Sequence, residues 1–245
     1  MMTTLTTALR RLLHAVLPVP CASCDTTLDD DPVPFFCQTC WATVRPITGP
    51  ACPLCGLPFA SDLTLTYSPG HLCQPCREQS PVFTRAWAGY HYEPPLQDAI
   101  HLFKYRGKVA LAKTLGALLR ESWRDRPEAD LLMPVPLHPS RLRSWEYNQA
   151  LLLADELNRA LRLPLSYDNL VRVRTTPPQT ELTRTERLTN LRRCFALQRP
   201  DAVAGKRILL IDDVMTTGAT VNKCAKVLRK AGAAEVYVGV LARAV

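Results

Sequence analysis

Eight cysteines in the first third of the chain are the residues whose types and spacing indicate chemistry most directly. They form four Cys-x-x-Cys pairs: Cys21 and Cys24, Cys37 and Cys40, Cys52 and Cys55, Cys73 and Cys76. The first two pairs are separated by 12 residues and the last two by 17, which is typical of zinc ribbons, where four thiolates surround one tetrahedral zinc ion. A site closed by four sulfurs leaves no position for water. We therefore predict two structural zinc ions (Zn²⁺).

Two alternatives stay open for these ligands. The spacing also permits a cross-braced arrangement, in which the first pair joins the third and the second joins the fourth. His71 lies two residues before Cys73 and could replace a sulfur, although four cysteines already complete the site. We expect His71 to be an exposed bystander.

A second stretch, Asp212-Asp213 followed by Val-Met-Thr-Thr-Gly-Ala-Thr, predicts a phosphate site. The aliphatic run 208–211 precedes the two carboxylates, and a helical pattern follows the loop. Free N–H groups at the start of a helix bind phosphate, Gly218 permits close approach, and threonine hydroxyls complete the shell. Carboxylates repel phosphate, but they suit the ribose hydroxyls attached to it. The simpler alternative is that the two aspartates only cap a helix.

The elements that must position these residues differ on the two sides of residue 80. Residues 1–80 are rich in proline and cysteine, so we predict a small zinc-ribbon region in which metal replaces a missing core. Residues 81–245 alternate between strand and helix patterns, which predicts an α/β fold with a parallel sheet and helices on both faces. We expect strands at 85–92, 131–136, 207–213 and 235–241, and helices near 95–124, 148–161 and 219–231. Cys224 falls in the apolar stripe of the last helix and is assigned to the core, whereas Cys194 receives no function.

Composition and charge limit the class of protein. The 245 residues are 47% hydrophobic and 21% charged, which excludes a disordered, collagen-like or coiled-coil chain. The apolar stretch 12–19 is too short to span a membrane, and cysteines rather than a cleavage site follow it. We therefore expect a cytoplasmic protein. Residues 1–80 carry 4 Lys and Arg against 6 Asp and Glu, and residues 81–245 carry 26 against 16, so the basic second part favours a nucleic-acid partner.

Several motifs together resemble one known family. Residues 209–221 are similar to the phosphoribosyl pyrophosphate motif of type I phosphoribosyltransferases, and with the zinc ribbons the chain resembles the ComF family, whose members are linked to DNA uptake in natural transformation. Further matches are Pro134-Val135-Pro136-Leu137, the basic segment 141–143, Tyr147-Asn148-Gln149, residues 102–107 (Leu-Phe-Lys-Tyr-Arg-Gly), and a segment containing Arg174, Thr176, Gln179, Leu182, Arg187 and Asn190. One departure is Trp145-Glu146, which stands where the family usually has Arg-Gly.

The resemblance implies a domain that binds phosphoribosyl pyrophosphate or ribose 5-phosphate together with Mg²⁺. It places the ribose hydroxyls on Asp212 and Asp213, and the pyrophosphate near Arg141 and Arg143. Residues 170–193, which include Arg187 and hold six Arg against two Glu, suit a mobile basic flap that closes over the site, with an ordinary solvated face as the alternative. The implied catalytic residues are Asp212, Asp213 and Arg187. The implied cofactor-binding residues are Val214, Met215, Thr216, Thr217, Gly218, Ala219 and Thr220. Lys104, in the matching segment 102–107, is equally compatible with a surface position.

Three classes of function are compatible with these residues. The first is an enzyme that transfers a phosphoribosyl group to an unidentified nitrogen acceptor. The second is a protein that handles single-stranded DNA and keeps the phosphoribosyl pocket for a ligand. The third is an interaction module that docks on a competence helicase or other uptake proteins. Single-stranded DNA would stack on aromatic side chains if they are exposed, and the candidates are Trp87, Tyr90, Tyr92, Tyr105, Trp145 and Tyr147.

Overall fold

Short helices and turns build the cysteine-rich part of the chain. The computed structural model describes residues 19–61, 63–123, 126–139, 142, 146–173 and 194–244. The short helices in the first part are α1 (Gln38–Trp41), α2 (Leu63–Tyr67) and α3 (Gln74–Glu78). Helices α1 and α3 begin directly after Cys37 and Cys73, so each starts within the second Cys-x-x-Cys pair of its quartet.

A parallel sheet forms the centre of the second part. The strands are β1 (Arg85–His91), β2 (Leu131–Pro134), β3 (Leu170–Arg172), β4 (Phe195–Leu197), β5 (Arg207–Met215) and β6 (Glu235–Arg243). Four of them form the parallel sheet in the order β1, β6, β5, β2, and β3 pairs with β4 antiparallel. Strand β5 is therefore central in the sheet, and its aliphatic run 208–211 carries no polar alternation because both of its faces are buried.

Helices cover both faces of this sheet, as predicted. They are α4 (Leu96–Tyr105), α5 (Leu111–Ser122), α6 (Gln149–Leu161) and α7 (Ala219–Lys230), with a 3₁₀ turn at Pro200–Val203. Successive strand residues point to opposite faces, so Leu209 and Ile211 join one apolar core with α5 and α6. Ile208 and Leu210 join the other core with α7. Cys224 is fully buried in that second core, which confirms its assignment.

Four predicted elements differ from the structure by more than one residue. The single helix expected near 95–124 is two helices, because Gly107 adopts a φ of +65° after α4 and the chain turns before α5. Strand β2 ends at Pro134 rather than at residue 136. Strands β5 and β6 extend to Met215 and Arg243, beyond the predicted ends, because they continue to pair with each other to those residues.

The cysteine-rich part lies along the outer edge of the sheet. The N–H of Ile47 donates to the carbonyl of Gly89 at 2.9 Å, and the N–H of His91 donates to the carbonyl of Arg45 at 3.0 Å. The N–H of Ala86 donates to the carbonyl of Leu54 at 2.9 Å. The cysteine-rich part thus covers the open edge of β1. The division of the chain at residue 80 stays a prediction. Among the described helices, none has the length and apolar character needed to cross a membrane.

Candidate functional site

The eight paired cysteines gather into two separate clusters of four. Cys21, Cys24, Cys37 and Cys40 form the first cluster, and Cys52, Cys55, Cys73 and Cys76 form the second, with the four sulfurs of each cluster within 4.8 Å of one another. The Sγ atoms of Cys24 and Cys37 are 3.7 Å apart, and those of Cys55 and Cys73 are 3.5 Å apart. A tetrahedron with Zn–S bonds of ~2.3 Å requires sulfurs about 3.8 Å apart. Both clusters therefore fit structural zinc, in the sequential and not the cross-braced arrangement.

Backbone donors and burial support a structural role for both clusters. The N–H of Cys37 donates to Cys21 Sγ at 3.4 Å, and the N–H of Cys73 donates to Cys52 Sγ at 3.5 Å. The second cluster is buried throughout, whereas Cys24 in the first cluster is exposed. His71 belongs to neither cluster; its ring packs against Phe59 with centroids 5.6 Å apart. It is half-buried rather than exposed as predicted, because that aromatic contact covers it.

The two predicted aspartates lie near the carboxyl end of β5, where open α/β sheets bind ligands. Asp212 is half-buried and Asp213 is 7% exposed. Lys104, at the end of α4, places its Nζ 2.8 Å from Asp213 Oδ1. All three side chains line a cavity of about 190 Å³ that also reaches Arg172 and Thr220. A half-buried cation thus balances one carboxylate of the pair.

Burial changes the protonation of this group of residues. It raises the pKa of Asp212 to about 8, and the neighbouring Asp213 carboxylate contributes to that rise. Burial lowers the pKa of Lys104, but the attraction of Asp213 outweighs burial and the net shift is upward. At neutral pH, therefore, Lys104 is charged and Asp212 is largely protonated. A protonated carboxyl can both donate and accept a hydrogen bond, and a hydroxyl group can take either role opposite it.

The loop after β5 presents the polar groups that the sequence predicted. Gly218 adopts a φ of +75° as the N-cap of α7, a conformation that favours glycine. Within the part of the chain that the structure describes, the backbone N–H groups of Thr217, Gly218 and Thr220 donate to no protein acceptor. The side chains of Thr216, Thr217 and Thr220 are exposed. An anion at this helix start would meet free donors and the positive end of the helix dipole.

The residues of this loop face two different cavities. Val214 and Thr220 line the cavity that contains the aspartates. A second cavity, of about 400 Å³, is lined on one side by Met215, Thr217, Gly218 and Ala219 and on the other by residues of the second cysteine cluster. We call residues 215–220, which the sequence predicts to bind phosphate, the phosphate loop; it separates the aspartates from the second cysteine cluster.

Residues 147–149 connect the elements that hold the site. Asn148 caps α6 by accepting from the N–H of Ala150 at 3.0 Å, and its Nδ2 donates to the carbonyl of Val135 at 3.1 Å. The hydroxyl of Tyr147 donates to the carbonyl of Phe103. The segment 147–149 therefore joins the end of α4, which carries Lys104, to the end of β2. Sequence reasoning did not identify Lys104 as the partner of Asp213; its place in the matching segment 102–107 was the only signal.

Several predicted residues lie elsewhere. Trp87 and Tyr90 are 9% and 6% exposed, so they belong to the core and cannot serve as stacking platforms, whereas Tyr105 is 57% exposed. Tyr92 and Tyr147 are half-buried. The candidates Arg141, Arg143, Trp145 and Arg187, with most of the predicted flap, lie outside the described residues.

Sequence comparisons agree with both parts of this architecture. Residues 12–77 match the model of the double zinc ribbon domain, and residues 148–244 match that of the phosphoribosyl transferase domain. The chain is 35% identical to Competence protein F of Haemophilus influenzae, over 85% of this chain and 90% of that protein. It is 34% identical to DNA utilization protein YhgH of Escherichia coli K12, with the same coverage. Competence protein ComFC of Bacillus subtilis is 28% identical, over 87% of this chain and 90% of that protein.

The fold, the two cysteine clusters and the loop after β5 define a double zinc ribbon joined to a type I phosphoribosyltransferase-like domain. The chain belongs to the ComF family.

Proposed function

We propose that this protein binds phosphoribosyl pyrophosphate or ribose 5-phosphate, together with Mg²⁺, at the carboxyl end of β5, and that it acts in the cytoplasm during DNA uptake. The observation that carries the ligand is that Asp212, Asp213 and Thr220, whose N–H is free at the start of α7, line the same cavity. Relatives named as competence and DNA utilization proteins support the biological role.

Each part of the site has a distinct task in this proposal. The 5′-phosphate accepts hydrogen bonds from the N–H groups and hydroxyls of residues 215–220. Asp212 and Asp213 bind the ribose hydroxyls, and Lys104 holds the Asp213 carboxylate in place. When bound, Mg²⁺ neutralises charge on the pyrophosphate. Arg141, Arg143 and Arg187 are proposed to face that group from segments outside the described residues.

Single-stranded DNA is the proposed macromolecular ligand. The excess of basic residues in 81–245, concentrated at six arginines against two glutamates in 170–193, supports contact with phosphates. Tyr105, which borders the aspartate cavity and is exposed, supports stacking on an unpaired base. A competence helicase or other uptake proteins would then be partners that deliver or receive the strand.

A second candidate function is transfer of the phosphoribosyl group to a nitrogen acceptor. The observation that favours it is Asp212, because a carboxyl group with a pKa of about 8 can give or take a proton at neutral pH. Incubation of phosphoribosyl pyrophosphate and Mg²⁺ with a panel of bases, with pyrophosphate release as the readout, distinguishes a transferase from a binding protein.

Calorimetry with ribose 5-phosphate, with and without Mg²⁺, tests the ligand proposal. We expect wild-type protein to bind, and Asp213→Asn to lose ~1–3 kcal/mol of binding free energy because a charge-assisted hydrogen bond to a ribose hydroxyl is weakened. The matched control is Asp201→Asn, since Asp201 is exposed in the 3₁₀ turn and lines none of the cavities described above. The proposal is wrong if wild-type protein gives neither heat nor a thermal shift at millimolar ligand.

A further inference from the structure

A buried arginine joins the phosphate loop to the second cysteine cluster. Arg243, the last residue of β6, is 5% exposed. Its Nη1 donates to the carbonyl of Met215 at 2.9 Å and to the carbonyl of Thr216. Its Nη2 lies 4.0 Å from Cys55 Sγ. One guanidinium group therefore contacts both the start of the loop and a predicted zinc ligand.

The charge of Arg243 lacks a carboxylate partner in the described part of the chain. Among the residues that the structure describes, no aspartate or glutamate forms an ion pair with it, and its Nε has no hydrogen-bond acceptor. A buried cation without a counter-charge is strongly disfavoured. A Zn²⁺ ion held by four thiolates has a net charge of about −2. The second cysteine cluster, loaded with zinc, supplies the missing negative charge.

We propose that Arg243 is a positioning residue that couples the second zinc site to the phosphate loop. The zinc-thiolate cluster holds the guanidinium, and the guanidinium fixes the carbonyls of Met215 and Thr216 so that the following N–H groups face the ligand. Loss of zinc from the second cluster then loosens the loop, whereas loss from the first cluster does not, because the first cluster packs with the opposite core. The effect on ligand affinity rests on the proposed function; the coupling to zinc does not.

The test compares Arg243→Met with Arg229→Met in the full-length, zinc-loaded chain. Arg229 is a matched control because its Nη1 also donates to backbone carbonyls, those of Ala233 and Ala234, at the other end of α7. We expect Arg243→Met to speed amide hydrogen exchange in residues 214–220. We also expect faster alkylation of Cys52, Cys55, Cys73 and Cys76 in the presence of a chelator, mapped by mass spectrometry, with no change in the first cluster. Arg229→Met should change neither.

Ligand affinity provides a separate readout. Arg243→Met should weaken ribose 5-phosphate binding about tenfold, which equals ~1.4 kcal/mol. Arg243→Lys keeps the charge, so it should recover part of the affinity and of the zinc retention. If wild-type protein does not bind ribose 5-phosphate, the proposed function fails, but exchange and alkylation still decide the coupling. Unchanged exchange and alkylation in Arg243→Met overturn it. If Arg243→Met does not fold, Arg243→Gln, which keeps a hydrogen-bond donor but not the charge, decides, and wild-type exchange and alkylation in that variant equally overturn the coupling.

Discussion

Asp212 should make the protein less stable as the pH rises, and replacing it should remove that dependence. The pKa of this carboxyl is about 8 in the folded chain, because burial and Asp213 disfavour its ionised form, against ~3.9 in an unfolded chain. A raised pKa in the folded state gives a stabilising contribution that is fully present below the unfolded pKa. That contribution is lost as the pH rises through the folded pKa. The window of loss is therefore approximately pH 4 to 8.

The size of the effect follows from proton linkage. Between pH 6 and pH 9 the folded state must release the Asp212 proton, which the unfolded state has already lost. At ~1.4 kcal/mol per unit of pH below the folded pKa, this release removes ~2–3 kcal/mol of stability over the interval. The substitution Asp212→Asn keeps the shape of the protonated acid and introduces no titrating group. The stability advantage of this variant over wild type should therefore grow by ~2–3 kcal/mol from pH 6 to pH 9.

Urea denaturation of zinc-loaded protein, followed by tryptophan fluorescence at pH 6, 7, 8 and 9, measures this difference. Asp201→Asn is the control, because it makes the same chemical change at an exposed position away from the site. A constant difference between Asp212→Asn and wild type across the four pH values would refute the reasoning. It would mean that the Asp212 carboxyl is ionised in the folded chain at pH 6.

Four further predictions concern the metal, the cation at the site, the backbone and DNA. Metal analysis should find close to two zinc ions per chain, and a ratio of one in wild-type protein would contradict the two-site assignment. Cys52→Ser should lower the ratio by one and unfold the second ribbon, because zinc binding supplies the folding free energy of that ribbon. In urea denaturation, Lys104→Met should destabilise the fold by ~3 kcal/mol, because it leaves Asp213 buried without its cation. The control Lys113→Met, at an exposed position of α5, should change the unfolding free energy little. Glu146→Gly should stabilise the chain by ~1 kcal/mol in the same assay, since Glu146 adopts a φ of +66° that favours glycine; a loss of stability would show that this backbone is not strained. In fluorescence anisotropy, single-stranded DNA should bind more tightly than duplex. A plot of log K against log[salt] should fall with a slope of roughly −3 for about four phosphate contacts. Joint replacement of Arg184, Arg187, Arg192 and Arg193 should flatten that slope.

Local patterns predicted most of the fold because the forces that set them are local. The aliphatic run 208–211 has the composition of a strand buried on both faces, and β5 lies between two neighbours. The apolar stripe of α7 predicted the burial of Cys224. The Cys-x-x-Cys spacings predicted both clusters, although spacing alone could not distinguish sequential from cross-braced pairing; contacts between distant segments settle that choice.

The division of residues 95–124 shows where local reasoning failed. Residues 96–105 and 111–122 each carry a helical pattern, and the break between them depends on a backbone conformation at Gly107 that a periodicity analysis does not weigh. A glycine inside a helical pattern is compatible with either a continuous helix or a turn. The resemblance to the ComF segment 102–107 contained the relevant signal, because that segment ends at the glycine.

The site depends on side chains that meet across long distances in sequence, and this is why its electrostatic partners escaped prediction. Lys104 and Asp213 belong to α4 and β5 and are brought together only by the packing of the sheet. Arg243 and Cys55 are separated by 188 positions and meet only because the second ribbon lies beside the carboxyl ends of β5 and β6. In the first case a cation from another element balances a buried carboxylate, and in the second we propose that a zinc-thiolate cluster balances a buried arginine. A motif within one segment can therefore indicate the ligand of this site, but the groups that set its protonation and hold its loop become visible only in the folded chain.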